Sequence, residues 1–212
     1  MDDDMTSATG RPSAREKLLN AALSVIRTKG YAATTVDDLC RTAGVTKGAF
    51  FHHFKSKEDL GVAAAAWWSE TTSAFFDSAP YQTISDPLER LLAYLDFRKS
   101  ILAGELPEFT CLAGTMVQEV YETHPAIRDA CDMSISGHAA TVEAMIREAM
   151  IRYAITAEWT ASSLALHIQA VIQGAFILAK AKHGAAVAAA SIDHLRRYVE
   201  MLFDVGATRS AG

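Results

Sequence analysis

Between Thr35 and Lys57 the chain reads TVDDLCRTAGVTKGAFFHHFKSK, two short helices folded over one glycine, a pattern that few other arrangements suit. Thr35 is placed to cap the first helix, and Asp37 and Asp38 fall in its first turn, where the helix dipole favours acid. Val36, Leu39, Cys40 and Ala43 recur on one apolar face. Gly44 supplies the positive φ that ends the helix, and Val45 is expected to tuck beneath the turn. Thr46 caps the next helix, whose Phe50 and Phe54 lie four apart and share an inward face. Lys47, Gly48, Ala49, Phe51, His52 and His53 are left facing mostly outward. The spacing is that of a helix-turn-helix, in which the second helix enters the major groove of DNA.

A net charge of −5 argues against a nucleic-acid partner until it is divided along the chain. Residues 1–10 carry three Asp; residues 11–57 carry nine Lys/Arg against three acids, a net +6; residues 58–212 carry eleven against nineteen, a net −8. A small basic head thus precedes a large acidic body. The head attracts phosphate in a salt-dependent way, and the body is held off the duplex.

Half of the 212 residues are hydrophobic, enough for one large core or two modest ones. Only 5 prolines and 12 glycines interrupt long Ala/Leu/Met/Glu-rich runs, which points to an all-α protein. Cys40, Cys111 and Cys131 lack metal-ligand spacing and are odd in number, which suits a reduced cytoplasmic interior. No basic segment followed by an apolar one opens the chain, so secretion by that route is not expected. Leu164 to Lys180 is short for a membrane span and carries His167, Gln169 and Gln173, so it reads as a buried helix and no membrane partner is expected.

Residues 1–12 are polar, contain Gly10 and Pro12, and read as a disordered arm. Ser13 with Glu16 forms a capping box for a helix ending at Gly30. The head is taken as 13–57 and the body as 58–205, with 206–212 a flexible tail. Ser56 caps a helix running to about Asp77 that starts in the head and ends in the body. Asp86-Pro87-Leu88-Glu89 starts a helix to about Ala103. Further helices are expected from about Phe109 to Glu122, from Pro125, from Thr156 to His183-Gly184, and from about Ala188 to Asp204. Nine helices result, three in the head and six shared or in the body.

The head, with the linking GYAATT of Gly30 to Thr35, resembles the N-terminal domain of the TetR family of one-component bacterial regulators. Gly30-Tyr31, Thr34-Thr35-Val36, Ala43-Gly44-Val45-Thr46-Lys47-Gly48 and His52-His53-Phe54-Lys55-Ser56-Lys57 carry the likeness, over about a quarter of the chain. Phe51 stands where the family usually has tyrosine, which removes a hydroxyl. The resemblance implies a C-terminal domain that senses a small-molecule inducer and dimerises, and a repressor that the inducer releases from its operator. Segment 109–131 also resembles a stretch of some TetR-type sensor domains.

Thr35, Lys47, His53 and Lys57 are the candidates for phosphate, since hydroxyl, cationic and imidazole donors near helix starts position a protein on the duplex. Lys47, Gly48, Ala49 and His52 are candidates for base edges, with Thr46 and Phe51 completing the DNA-binding set. In the body the implied cavity for a hydrophobic or aromatic ligand is assigned to Trp67, Phe75, Leu92, Phe109, Met116, Cys131, Ile135, His138, Val142, Met145, Trp159 and His167. His138 and His167 stand out, because a histidine among Met, Val and Ile needs a polar partner.

No HExxH, Glu-x-x-His or nucleophile motif is present, and no enzyme activity, cofactor or metal is expected. The rival reading is a helical carrier of hydrophobic molecules that does not bind an operator. A homodimer is expected through the last two helices, by way of Ala170, Gly174, Ile192, Leu195, Val199, Leu202 and Phe203. Two-fold symmetry would space two recognition helices by about one DNA turn, roughly 34–36 Å, or a multiple, and so predicts a palindromic double-stranded operator.

Overall fold

In the computed structural model of the chain residues 12–209 are described, with side chains through Phe203. The expected arm, apart from Pro12, and residues 210–212 of the expected tail lie outside them. The helices are α1 (Ala14–Lys29), α2 (Val36–Ala43), α3 (Lys47–His53), α4 (Lys57–Asp77), α5 (Pro87–Ser100), α6 (Leu106–Phe109), α7 (Leu112–Val120), α8 (Pro125–Arg152), α9 (Ala161–Ala181) and α10 (Ala186–Arg209). A 3₁₀ turn, Pro80–Thr83, precedes α5, and no strand occurs among the described residues.

Among the described residues ten α-helices stand where nine are expected. The additional one is α6, ahead of the helix expected from about Phe109; that helix is α7 and starts only at Leu112, because Thr110 is extended, with φ −83° and ψ 156°, and its hydroxyl turns back to donate to the Leu106 carbonyl. The helix expected from Thr156 begins instead at Ala161. Thr160 is the true cap, accepting from the Ser163 amide, and Ala154 at φ 50° lies in the turn between the two helices. α10 carries the backbone to Arg209, past the expected end at Asp204.

The chain forms two compact units. The first joins the described residues up to Glu70 with Leu112–Cys131. α1 packs on α2, α3 and α7, and Leu18, Leu19, Ala22, Ile26, Leu39, Phe50 and Leu60 are fully or almost fully buried. Capping boxes at Ser13 with Glu16 and Thr35 with Asp38 start α1 and α2 as their sequences predict.

The second unit holds Thr71–Cys111 and the residues from Asp132 onward. Its core gathers Leu91, Tyr94 and Leu95 of α5, Val142, Ile146 and Ala149 of α8, Leu164, Ile168 and Ile172 of α9, and Ile192, Leu195, Val199 and Phe203 of α10. Asp86 caps α5 by accepting from the amides of Leu88 and Glu89, with Pro87 in the first turn. Lys99 of α5 pairs with Asp193 of α10 at 2.7 Å. Among the described residues α9 alone is long and apolar enough to cross a membrane. α4 and α8 each contribute residues to both units.

Candidate nucleic-acid interface and ligand-binding core

The helix-turn-helix is built from local capping. Thr35 Oγ accepts from the Asp38 amide and donates to the Asp38 carboxylate, which also pairs with Lys29 and Arg41. These bonds hold the Asp38 carboxyl well below its usual range, with the Lys29 contact the largest cause. Gly44 takes the left-handed conformation, φ 65° and ψ 37°, and its amide bonds back into α2. The Thr46 hydroxyl accepts from the Ala49 amide at 3.1 Å and starts α3. Phe50 and Phe54 face inward as their spacing predicts, whereas Val45 is only half-buried.

The outward side of α3 presents Lys47, Gly48, Phe51 and His52, with Ala49 and His53 half-buried. Phe51 is 57% exposed, a large apolar ring 5.1 Å from that of Phe50 and nearly perpendicular to it. Lys47 reaches Asp37 at 2.7 Å, and that bond raises its pKa. A Cβ added to Gly48 would meet only Thr46 Oγ1, at 3.7 Å. No crowding inside the head therefore demands glycine at this position.

Two members of the phosphate set are engaged elsewhere. The Lys57 ammonium lies 4.4 Å from the Tyr31 ring centroid and donates to the carbonyls of Tyr31, Ala32 and Thr34 at 3.1, 3.4 and 3.0 Å. Burial lowers its pKa. Lys57 thus clamps the link between α1 and α2, and Thr35 is a helix cap. Glu119 of α7 completes the same link by accepting from the Ala32 amide at 2.8 Å, and a Cβ at Gly30 would run into its carboxylate.

The ligand candidates do not form one set. Trp67, Met116 and Cys131 belong to the first unit, where Met116 and Cys131 are fully buried core and Trp67 donates to Asn20 Oδ1. Phe75, Leu92, Phe109, Ile135, His138, Val142, Met145, Trp159 and His167 belong to the second. His167 is exposed, edge-on to Tyr198, and is not a core histidine. His138 is: its Nε2 lies 2.9 Å from the Tyr94 hydroxyl, and its ring packs on Phe76. Burial, then the nearby Arg98 charge, pushes its pKa down to about 3, so it is neutral.

Tyr81, Tyr94, Phe97, Phe76 and Phe176 form a nest of rings around these groups, and Arg98 lies 5.1 Å from the Phe76 ring and 5.8 Å from that of Phe176. Tyr81, Tyr94, Arg98 and Gln169 were not among the sequence candidates. Arg98 does carry a sequence signal, since it continues the buried series Leu91, Tyr94, Leu95 at helical spacing. Among the described residues no three His, Cys, Asp or Glu side chains converge as a metal site would require.

The dimer candidates also divide. Ile192, Leu195, Val199 and Phe203 are at most 3% exposed because they face α9 and α5 within their own unit. They are core and not available to a second copy. Ala170 is exposed, while Gly174 and Leu202 are intermediate. The large apolar groups left open beside them are Leu166, Ile177 and Leu178 on α9 and Tyr198 and Met201 on α10.

Two family descriptions match this architecture: "Bacterial regulatory proteins, tetR family" over residues 18–64, and "Tetracyclin repressor-like, C-terminal domain" over 87–195, about half of the chain. The chain belongs to the TetR family. The first match covers the helix-turn-helix and the second runs from α5 into α10. The chain is 30% identical over 107 residues to the transcriptional regulator AcuR of Cereibacter sphaeroides, a match covering 50% of this chain and 49% of that one. It is 40% identical over 128 residues to the transcriptional repressor KstR2 of Rhodococcus jostii, covering 52% and 60%. The chain therefore spans about half the length of these relatives. A TetR regulator of Chloroflexus aurantiacus has the same fold, with a TM-score of 0.77, 26% identity, and coverage of 88% and 94%. The regulatory protein TetR from Rhodobacter sphaeroides gives 0.78, 24%, 87% and 97%.

Proposed function

We propose that this TetR-family regulator is a repressor that acts in the cytoplasm as a homodimer on a palindromic operator and leaves it when a small molecule occupies the second unit. The observation that carries the reading is the outer face of α3, where Lys47, Gly48, Phe51 and His52 stand open at the end of a rigidly capped helix-turn-helix. Lys47 supplies a donor for guanine and Gly48 permits close approach. Phe51 offers a ring for a thymine methyl where a hydroxyl would offer a hydrogen bond. Lys47 and His53 are the phosphate candidates on α3, while Lys57 and Thr35 act by holding the head in shape.

The dimer is assigned to the open apolar faces of α9 and α10, around Leu166, Ala170, Ile177, Leu178, Tyr198 and Met201. Because α4 and α8 contribute to both units, a change in the second unit has two covalent routes to the first. Ligand and operator then compete through one coupling free energy, typically about 1–3 kcal/mol, which each must exert on the other. Selection of bound duplexes from a randomised pool, followed by titration with increasing salt, tests the reading. A two-fold symmetric consensus with a steep salt dependence is expected. Recovery of no enriched duplex would favour a helical carrier instead.

A further inference from the structure

Arg98 is 8% exposed, yet among the described residues it has no carboxylate partner and donates no hydrogen bond. A buried charge left without a counter-ion is costly and is seldom retained without a use. The rings of Phe76 and Phe176 and the carbonyl end of α5 offset only part of that cost. Gln169 of α9 is 5% exposed, and its Nε2 is buried with no acceptor. Arg98 follows Tyr94 by one turn of α5 and packs on Phe76, whose ring centroid is 6.1 Å from that of Tyr94; the Gln169 amide is close enough to the Tyr94 hydroxyl to lower its pKa against the larger upward effect of burial. A buried amide nitrogen without an acceptor and a mostly buried arginine without a carboxylate partner thus lie beside a Tyr–His pair inside a nest of aromatic rings.

We infer that Arg98 and Gln169 form the anchoring subsite for a small organic carboxylate whose apolar remainder packs against Phe76, Phe97 and Phe176. The planar guanidinium matches a carboxylate in a two-pronged geometry, which a phenol, alcohol or amide does not reproduce. Gln169 Nε2 donates to a carboxylate oxygen, and Tyr94 and His138, which already satisfy each other, set the polar edge of the site. This inference rests on the ligand-sensing role proposed above and narrows its ligand from any apolar molecule to an acid with an apolar body.

The test uses the full chain and a panel of sodium carboxylates, aliphatic from acetate to octanoate and aromatic from benzoate to phenylpropionate. Each is paired with its primary amide, and sodium chloride at equal ionic strength serves as control. The thermal midpoint is the readout. At a hundredfold excess over Kd a binder should raise it by about 5–10 °C, and its amide should not. Arg98→Met should fold with a midpoint no lower than the parent and lose the shift. Gln169→Leu, which deletes only the second donor, should weaken binding of the same acid about tenfold. Shifts equal for acid and amide, reproduced by chloride, retained in Arg98→Met, or absent across the panel would each overturn the assignment. Fluorescence anisotropy on the selected duplex, measured without any acid, reads the regulator role separately. Duplex binding with no acid response sinks only the carboxylate site, whereas an acid response with no duplex binding sinks only the regulator role.

Discussion

Replacing Lys57 by Met separates two roles that its position leaves open. The substitution keeps the aliphatic stem and deletes an ammonium that makes three bonds to carbonyls at 3.0–3.4 Å and sits 4.4 Å from the Tyr31 ring centroid. A hydrogen bond to a charged group contributes about 1.5–3 kcal/mol and a cation–π contact about 0.5–2 kcal/mol. The contributions are not additive, the Ala32 bond is long and exposed, and burial of the ammonium costs part of the gain. A net loss of about 2–3 kcal/mol is expected, or roughly 4–12 °C in thermal midpoint. Hydrogen exchange of the amides of residues 30–35 should rise by one to two orders of magnitude, as about 1.4 kcal/mol is a factor of ten. In duplex titrations the slope of log affinity against log salt should stay at its parental value. An unchanged midpoint with a slope shallower by about 0.9 would mean that Lys57 releases a counter-ion from phosphate and does not clamp the link.

Gly48→Ala should stabilise the fold by about 0.5–1 kcal/mol, since the Cβ meets only Thr46 Oγ1 at 3.7 Å, while weakening operator binding at least tenfold; unchanged affinity would remove Gly48 from the interface. His138 is neutral in the fold, with its pKa pushed down to about 3, and takes a proton near pH 6.5 once unfolded. Its contribution is therefore complete above pH 6.5 and is lost as pH falls from 6.5 toward 3, by at most about 1.4 kcal/mol per unit. His138→Gln should flatten that part of a stability-against-pH curve measured in denaturant. Leu178→Asp, placed on the open face of α9, should convert the dimer to a folded monomer in light scattering, and a persistent dimer would move the interface elsewhere.

The head was legible because its signals are local. Caps at Ser13, Thr35, Thr46 and Ser56 and the glycine at 44 act within four residues, and all appear where their spacing places them. The start of α9 is ambiguous in sequence because Thr156 and Thr160 can both cap a helix; Thr160 alone has a partner three residues on, Ser163, to close a capping box, and the positive φ of Ala154 has no glycine to announce it. The stripe of α10 was visible, but a stripe does not say whether its cover is the same chain or another copy. For Lys57 the acceptors lie 23–26 residues back, and for Met116 and Cys131 the companions lie in the head. No local rule reaches that far. Arg98 differs in this respect, because the fourth place of a buried series is a local signal.

The bond from the Ala32 amide to Glu119 spans 87 positions of sequence. It also sets an order of events during synthesis. The basic head emerges first, but the link between α1 and α2 lacks its acceptor, and the core of the unit lacks α7, until translation has passed residue 131. Non-local closure of this kind is slow and comes late. A nascent chain therefore carries its recognition helix, finished at His53, until Cys131 has been added and the platform beneath that helix is complete. A message truncated after the head would yield a fragment without the scaffold that orients it, so the DNA-reading part cannot be cut free as a simple N-terminal piece.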